Sequence, residues 1–132
     1  MLAFLDTNVL VYLIGSDEAK ADRASAILAL GGVVSVQVLN EFASVASRKK
    51  RLSWSEIVDV LNVVRSVCKV ESLLPETHDA AVRLASEHNF SFYDALIVAS
   101  AIAAGCDTLY SEDLQHGRRV ERSLTIRNPF RP

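Results

Sequence analysis

Asp6 ends the apolar run Leu2-Ala3-Phe4-Leu5, and Asp94 opens the run Ala95-Leu96-Ile97-Val98-Ala99. A carboxylate beside so apolar a segment asks for a counter-charge, a cap or a cation, because an uncompensated buried charge is expensive. Glu41 lies on the margin of an amphipathic stretch, about 40° around a helix from Val45, and Glu112-Asp113 follows Thr108-Leu109-Tyr110. Each of these acids also has a plain structural reading. Asp6 suits a turn or the cap of a helix starting near Val9, and Asp94 suits a first helical turn with Ser91 three residues before it. Glu41 suits a solvated rim and Glu112-Asp113 a surface turn. Glu18, Glu56, Asp59, Glu71, Glu87 and Glu121 lie among polar residues and ask only for water.

Taken together, the unusual acids fall at strand ends or helix starts that a parallel sheet would bring to one rim. Several carboxylates converging without nearby lysines repel one another unless divalent cations join them. An all-oxygen donor set suits Mg²⁺ or Mn²⁺. Two such ions, roughly 3.5–4 Å apart, activate water and stabilise the leaving oxygen of a phosphodiester. The chemistry to which the spacing points is metal-assisted hydrolysis of nucleic acid. The same crowding predicts that, without metal, at least one carboxyl titrates above its ordinary value.

The elements needed to hold these residues follow from the hydropathy pattern. Leu2–Leu5 and Val33–Val36 read as buried strands, with the first central because no polar alternation interrupts it. Val70–Leu73 is a weak strand, and Thr108–Tyr110 and Leu124–Ile126 are the last strand candidates. Helical spacing covers Val9–Ile14, Asp17–Leu30, Gln37–Lys50, a helix opened by Ser53, Glu76–His88 and Ser91–Ala104. Ser53 and Glu56 form a capping-box pattern, and Gly31-Gly32 and Gly105 are natural helix stops. Trp54 beside that cap could staple the helix or stack on a base. Strands separated by helices predict a three-layer α/β/α domain, one unit over residues 1–132, with a mostly parallel sheet of about five strands. Ligands gather at the carboxyl ends of such strands, where strand order reverses.

Other chemistries find little support. The histidines are scattered and neither cysteine has a neighbour at metal-ligand spacing, which disfavours zinc. No phosphate-cradling glycine loop or nucleophile elbow occurs. Basic residues cluster at Arg48-Lys49-Lys50-Arg51 and at Arg118, Arg119 and Arg122, making Arg48, Lys49, Arg118 and Arg119 candidate phosphate contacts. A basic helix end is equally a response to the helix dipole. With 14 Lys/Arg against 16 Asp/Glu in 132 residues, the net charge of −2 argues against bulk DNA binding. Cys68 and Cys106 read as small buried hydrophobes in a reducing compartment. The uncharged stretch Ala95–Cys106 is far short of the roughly 20 residues needed to span a bilayer, and the N-terminus lacks the basic start of a signal peptide. A cytoplasmic protein without a membrane partner is expected.

Leu5-Asp6-Thr7-Asn8-Val9-Leu10, Asn40-Glu41-Phe42, Tyr93-Asp94-Ala95-Leu96-Ile97-Val98-Ala99-Ser100-Ala101 and Tyr110-Ser111-Glu112-Asp113-Leu114-Gln115-His116-Gly117 resemble, in order, the four signature segments of PIN-domain ribonucleases. Among these the chain is most similar to the VapC-like toxins of toxin–antitoxin modules, and Asn128-Pro129-Phe130 also fits that branch. The resemblance implies a PIN-like α/β/α fold with Asp6, Glu41, Asp94 and Asp113 around Mg²⁺ or Mn²⁺. It further implies a homodimer, an RNA substrate and inhibition by a cognate antitoxin. Asp113, rather than Glu112, is taken as the fourth acid by its offset from Ser111. Thr7, Asn8 and Ser111 would hold the ligand carboxylates by hydrogen bonds. Two rivals are a receiver-like Mg²⁺-binding signalling domain and a catalytically inactive PIN-like RNA-binding module. The first needs a late lysine, and none follows Lys69; the second would show a lost acid, and all four positions are filled.

Overall fold

The computed structural model describes residues 1–131. In chain order the elements are β1 (Ala3–Leu5), α1 (Thr7–Tyr12), α2 (Glu18–Ala29), β2 (Gly32–Ser35), α3 (Val36–Arg48), α4 (Trp54–Val67), β3 (Cys68–Glu71), α5 (Pro75–His88), α6 (Phe92–Ala103), β4 (Thr108–Tyr110), β5 (Arg119–Val120) and β6 (Leu124–Arg127). Apolar side chains on both faces of β1 demand cover from two sides, so the strand takes the middle of the sheet. The strand order is β3-β2-β1-β4-β6-β5. All neighbouring pairs are parallel except β5 with β6.

Register ties the rim together. Leu5 pairs with Tyr110, and Tyr110 with Arg127, so β1, β4 and β6 end level with one another. The chain adds β2 and β3 on one side of β1 and β4 on the other, which makes the β1–β4 boundary the point of reversal. Asp6 follows β1 and Ser111 follows β4, on either side of that crevice.

Helices α1 to α4 pack on one another, α5 packs on α6, and both groups flank the sheet. Phe4, Leu5, Val33, Val34 and Leu109 from the strands are sealed between Val38, Phe42 and Ile57 and the α5–α6 residues Leu84, Ala95 and Val98. At roughly 25 cal/mol per Å² of apolar area removed from water, such burial is the main force holding the layers. Gly32 lets β2 start close against β1. Its φ of 144° is outside the usual range of L-residues, and a Cβ there would meet the Ala3 carbonyl oxygen at 2.6 Å.

Four details differ from the expectation. The third strand lies at Cys68–Glu71, two residues before the expected Val70–Leu73, because its full length pairs with Gly32–Ser35 and Cys68 is buried. Val36 belongs to α3, not to β2, since the Ser35 hydroxyl accepts from the Val38 N–H and caps the helix there. A sixth strand, β5, forms where no apolar alternation announced one; two residues suffice because Val120 is buried. Trp54 does not staple α4. It is 64% exposed, and the reciprocal Ser53–Glu56 capping box starts the helix instead.

Candidate active site

Asp6 is the centre of the arrangement. The end of β1 is anchored when the Asp6 N–H donates to the Tyr110 carbonyl at 3.0 Å, which aims the side chain into the β1–β4 crevice. Its carboxylate accepts from the Thr7 N–H at 2.7 Å and from the Ser111 hydroxyl at 2.8 Å. The residue therefore caps α1, as its plain reading required, while lying 7% exposed beneath the rim. Burial pushes its pKa up to about 6; the bonds from Ser111 and Thr7 work against the rise, and the charges of Glu41 and Asp113 add to it. The raised carboxyl anticipated from crowding thus exists, yet desolvation contributes more to it than repulsion does.

Two short arms spread from Asp6 to the other acids. The Asn8 amide donates to Asp113 Oδ2 at 3.2 Å and lies 3.4 Å from the Ser111 hydroxyl oxygen. Ser111 is fully buried, and its oxygen also accepts from the Asp113 and Leu114 N–H groups, which folds the segment after β4 back toward β1. On the other side the Thr7 hydroxyl donates to Glu41 Oε2 at 3.1 Å, joining α1 to the second turn of α3. Thr7, Asn8, Glu41 and Asp113 share an open cavity of about 360 Å³.

Glu112 and Asp113 differ in their contacts. Glu112 forms an ion pair with Lys20 at 2.8 Å and accepts from the Tyr12 hydroxyl. Burial opposes its charge, but Lys20 and Tyr12 hold its carboxyl below the ordinary value. Asp113 is the one that receives Asn8 and faces Asp6. The expectation that no lysine approaches these acids fails at this point: Lys20 on α2 is brought to Glu112 by the fold, across a large sequence separation.

Asp94 stands in the first turn of α6, half-buried, with its N–H donated to the Ser91 hydroxyl at 3.3 Å. Its carboxylate takes no hydrogen bond or ion pair among the described residues, so the reciprocal half of a capping box is missing. No direct bond joins it to Asp6, Glu41 or Asp113. The connection runs through Gln37, whose amide donates both to Glu41 Oε1 and to the Tyr93 carbonyl at 3.4 Å. Gln37 was passed over in the sequence; a buried polar residue one helical turn before Glu41, set between Val36 and Val38, was the signal.

The basic candidates lie elsewhere. Arg48 bonds to Ser44 within its own helix, and Arg48 and Lys49 are exposed about 10 Å along α3 from Glu41 at 1.5 Å per residue. Arg118 is held by the His88 carbonyl and stacks 4.0 Å from the Phe90 ring centroid. Arg119 pairs with Thr125, level with Thr108 and Ala3 at the amino ends of the strands, opposite the acids.

The donor set at the rim fits a hard cation: carboxylate and hydroxyl oxygens, with no thiol or imidazole among the residues bonded there. Among the described residues, the one trio of acidic, His or Cys ligand atoms within 4.8 Å of one another is Glu87, His88 and Glu121, away from the rim. Arg83 bonds to both of those glutamates at 2.8 Å, which makes the trio an ion-pair network. No three of the rim acids meet that spacing.

The sequence profile of the family described as "PIN domain" matches residues 3–121. No sequence match appears among curated proteins. Among solved structures, the chain is similar to Mycobacterium tuberculosis VapC20, described as a sarcin-ricin loop cleaving toxin, at 22% identity and a TM-score of 0.68, covering 84% of this chain and 89% of that one. It is also similar to Rickettsia felis VapBC2 bound to a promoter DNA fragment, at 21% identity and a TM-score of 0.69, over 97% and 98% of the two chains. A toxin–antitoxin complex from Klebsiella pneumoniae gives 18% identity and a TM-score of 0.71, again over 97% and 98%. Its four signature segments in order, its crevice between β1 and β4 and a profile match over most of its length show that the chain belongs to the PIN-domain family.

Proposed function

We propose that the protein is a metal-dependent ribonuclease, an endonuclease whose site is the rim formed by Asp6, Glu41, Asp94 and Asp113. The observation that carries this reading is the buried Asp6 carboxylate, wired through Ser111 and Asn8 to Asp113 and through Thr7 to Glu41. A buried carboxylate with its pKa raised by desolvation, set at a sheet's carboxyl edge with two further acids bonded to its neighbours, is the pattern of a functional site. Asp6, Glu41, Asp94 and Asp113 would hold Mg²⁺ or Mn²⁺. When bound, the ion would supply the Lewis acidity that polarises a phosphodiester and acidifies water.

The chain's own residues do the positioning. Thr7 and Gln37 grip opposite oxygens of Glu41, and Ser111 fixes the rotamer of Asp6, so the ligand oxygens are held before substrate arrives. Asn8 couples the α1 side of the crevice to Asp113. RNA is the substrate on this reading, and the similarity to toxin–antitoxin proteins supports a toxin role with a cognate antitoxin; a homodimer and a cytoplasmic location belong to the same proposal. No helix among the described residues is long and apolar enough to cross a membrane.

The test is cleavage of end-labelled RNA by purified protein with Mn²⁺, with Mg²⁺ and with EDTA. The reading expects cuts that vanish in EDTA and in Asp94→Asn, whose fold survives by circular dichroism. Cleavage by Asp94→Asn at the wild-type rate would remove Asp94 from the site. RNA bound but never cut in either metal would instead favour an inactive RNA-binding module.

A further inference from the structure

Glu41 is the shared wall of two cavities. One is the acidic cleft with Thr7, Asn8 and Asp113; the other, of about 510 Å³, is lined by Gln37, Asn40, Leu73, Tyr93 and Leu96 beside Glu41. The two differ in chemistry. The second has an apolar floor in Leu73 and Leu96, two amide side chains, one aromatic ring and no lysine or arginine. We propose that it is a subsite for one unpaired nucleobase of RNA, next to the phosphate that lies at the acids. This rests on the ribonuclease reading and adds where the neighbouring base is held.

Four observations support a base as the occupant. Tyr93 is 69% exposed although its ring meets Phe92 edge-to-face at 5.6 Å, and Phe92 meets His78 at the same distance, so the ring is braced while its π surface stays open. Bases stack on such rings with little regard to sequence. The Gln37 amide nitrogen is committed to Glu41 and to the Tyr93 carbonyl, both acceptors, which fixes the amide orientation. Its Oε1 is left as the one buried side-chain polar atom without a partner among the described residues. The oxygen is covered, but Gln37 lines the cavity, so an amide shift that brought it to the wall would be met by an N–H donor, and bases carry them. Finally, the single charge on the lining is the Glu41 carboxylate, which repels a phosphate and leaves the uncharged end of a nucleotide as the matching part. Tyr93 immediately precedes Asp94, so stacking there would register the RNA backbone on the acids.

Fluorescence anisotropy in EDTA measures this apart from catalysis. The probes are fluorescein-labelled octaribonucleotides of A, of C, of U and of alternating G and A, with an abasic ribose-phosphate octamer as reference. Wild type is expected to bind at least one base-bearing probe roughly five- to a hundredfold more tightly than the abasic one. Tyr93→Ala should lose that preference, Tyr93→Phe should keep it, and abasic affinity should be the same in all three. Equal affinity of wild type for abasic and base-bearing probes, or a preference that survives Tyr93→Ala, overturns the proposal. So does light scattering that shows a wild-type dimer dissociated by Tyr93→Ala, since the face would then belong to a second copy of the chain. Base-dependent binding with no RNA cut in Mn²⁺ would sink the ribonuclease reading and leave the subsite standing. Mn²⁺-dependent cleavage without base preference would do the reverse.

Discussion

Asp6 serves two masters, a helix cap and a buried charge, and the two can be separated by titration. Its carboxyl has a pKa of about 6 in the folded chain against 3.8 without the fold. The native state therefore keeps a proton that the unfolded chain has released, and stability from this group is full below about pH 3.8, falls as pH rises, and is lost above about 6. Asp6→Asn retains an oxygen for the Thr7 N–H and carries no charge to bury. Its melting temperature should exceed that of the metal-free wild type at pH 8, by roughly 1–3 kcal/mol of stability, with the gap closing below pH 4. A gap independent of pH, in thermal melts at both values, would contradict the assignment. At the next acids the contrast is chemical. Asp113→Asn should abolish RNA cleavage with little change in melting, whereas Glu112→Gln should keep cleavage and lower the melting temperature by freeing Lys20 and Tyr12.

At the scale of elements, what the sequence made legible was whatever local pattern could encode. The strand before Asp6, the helix opened by Ser53 and Glu56, and the buried helix behind Asp94 follow from apolar runs and caps, and all three are present. Partners distant in sequence were not legible. Cys68–Glu71 becomes a strand because β2 pairs with it, Arg119–Val120 because β6 does, and Lys20 reaches Glu112 because α2 packs on α1. Arg118 looked like a phosphate contact from its place in the chain, while its actual neighbours, His88 and Phe90, lie on the other side of two elements. Asp6 was readable as an acid at a strand end, and Thr7, Asn8 and Ser111 only through the resemblance of their segments; that they meet follows from β1 and β4 being neighbours. Gln37 was not readable, because its value lies in which two acceptors it joins. The tight start of β2 offers a test at this scale. Gly32→Ala puts a methyl into the Ala3 carbonyl at a φ that alanine avoids, so it should cost about 1–3 kcal/mol in denaturant melts. A variant as stable as wild type would show that β1 and β2 are less tightly registered than described.

For the molecule as a whole, the acids form a site only if they act on one ion. An ion that binds the native cluster better than the unfolded chain stabilises the fold by mass action. Millimolar Mg²⁺ or Mn²⁺ should raise the melting temperature, and more at pH 8 than at pH 5.5, because Asp6 is half or more protonated at the lower pH and protons compete with the ion. Equal shifts at both pH values would place the ion away from Asp6.

Whether Asp94 belongs with the other three is the point on which the site depends, since the chain links it to them only through Gln37 and the Tyr93 carbonyl. Calorimetric titration of Mn²⁺ into wild type, Asp6→Asn and Asp94→Asn at pH 8 measures it directly. A shared site predicts a wild-type isotherm that either substitution weakens at least about tenfold, the scale of losing a ligand's hold on a metal. Wild-type Mn²⁺ affinity in Asp94→Asn, alongside its loss in Asp6→Asn, would contradict the four-acid rim.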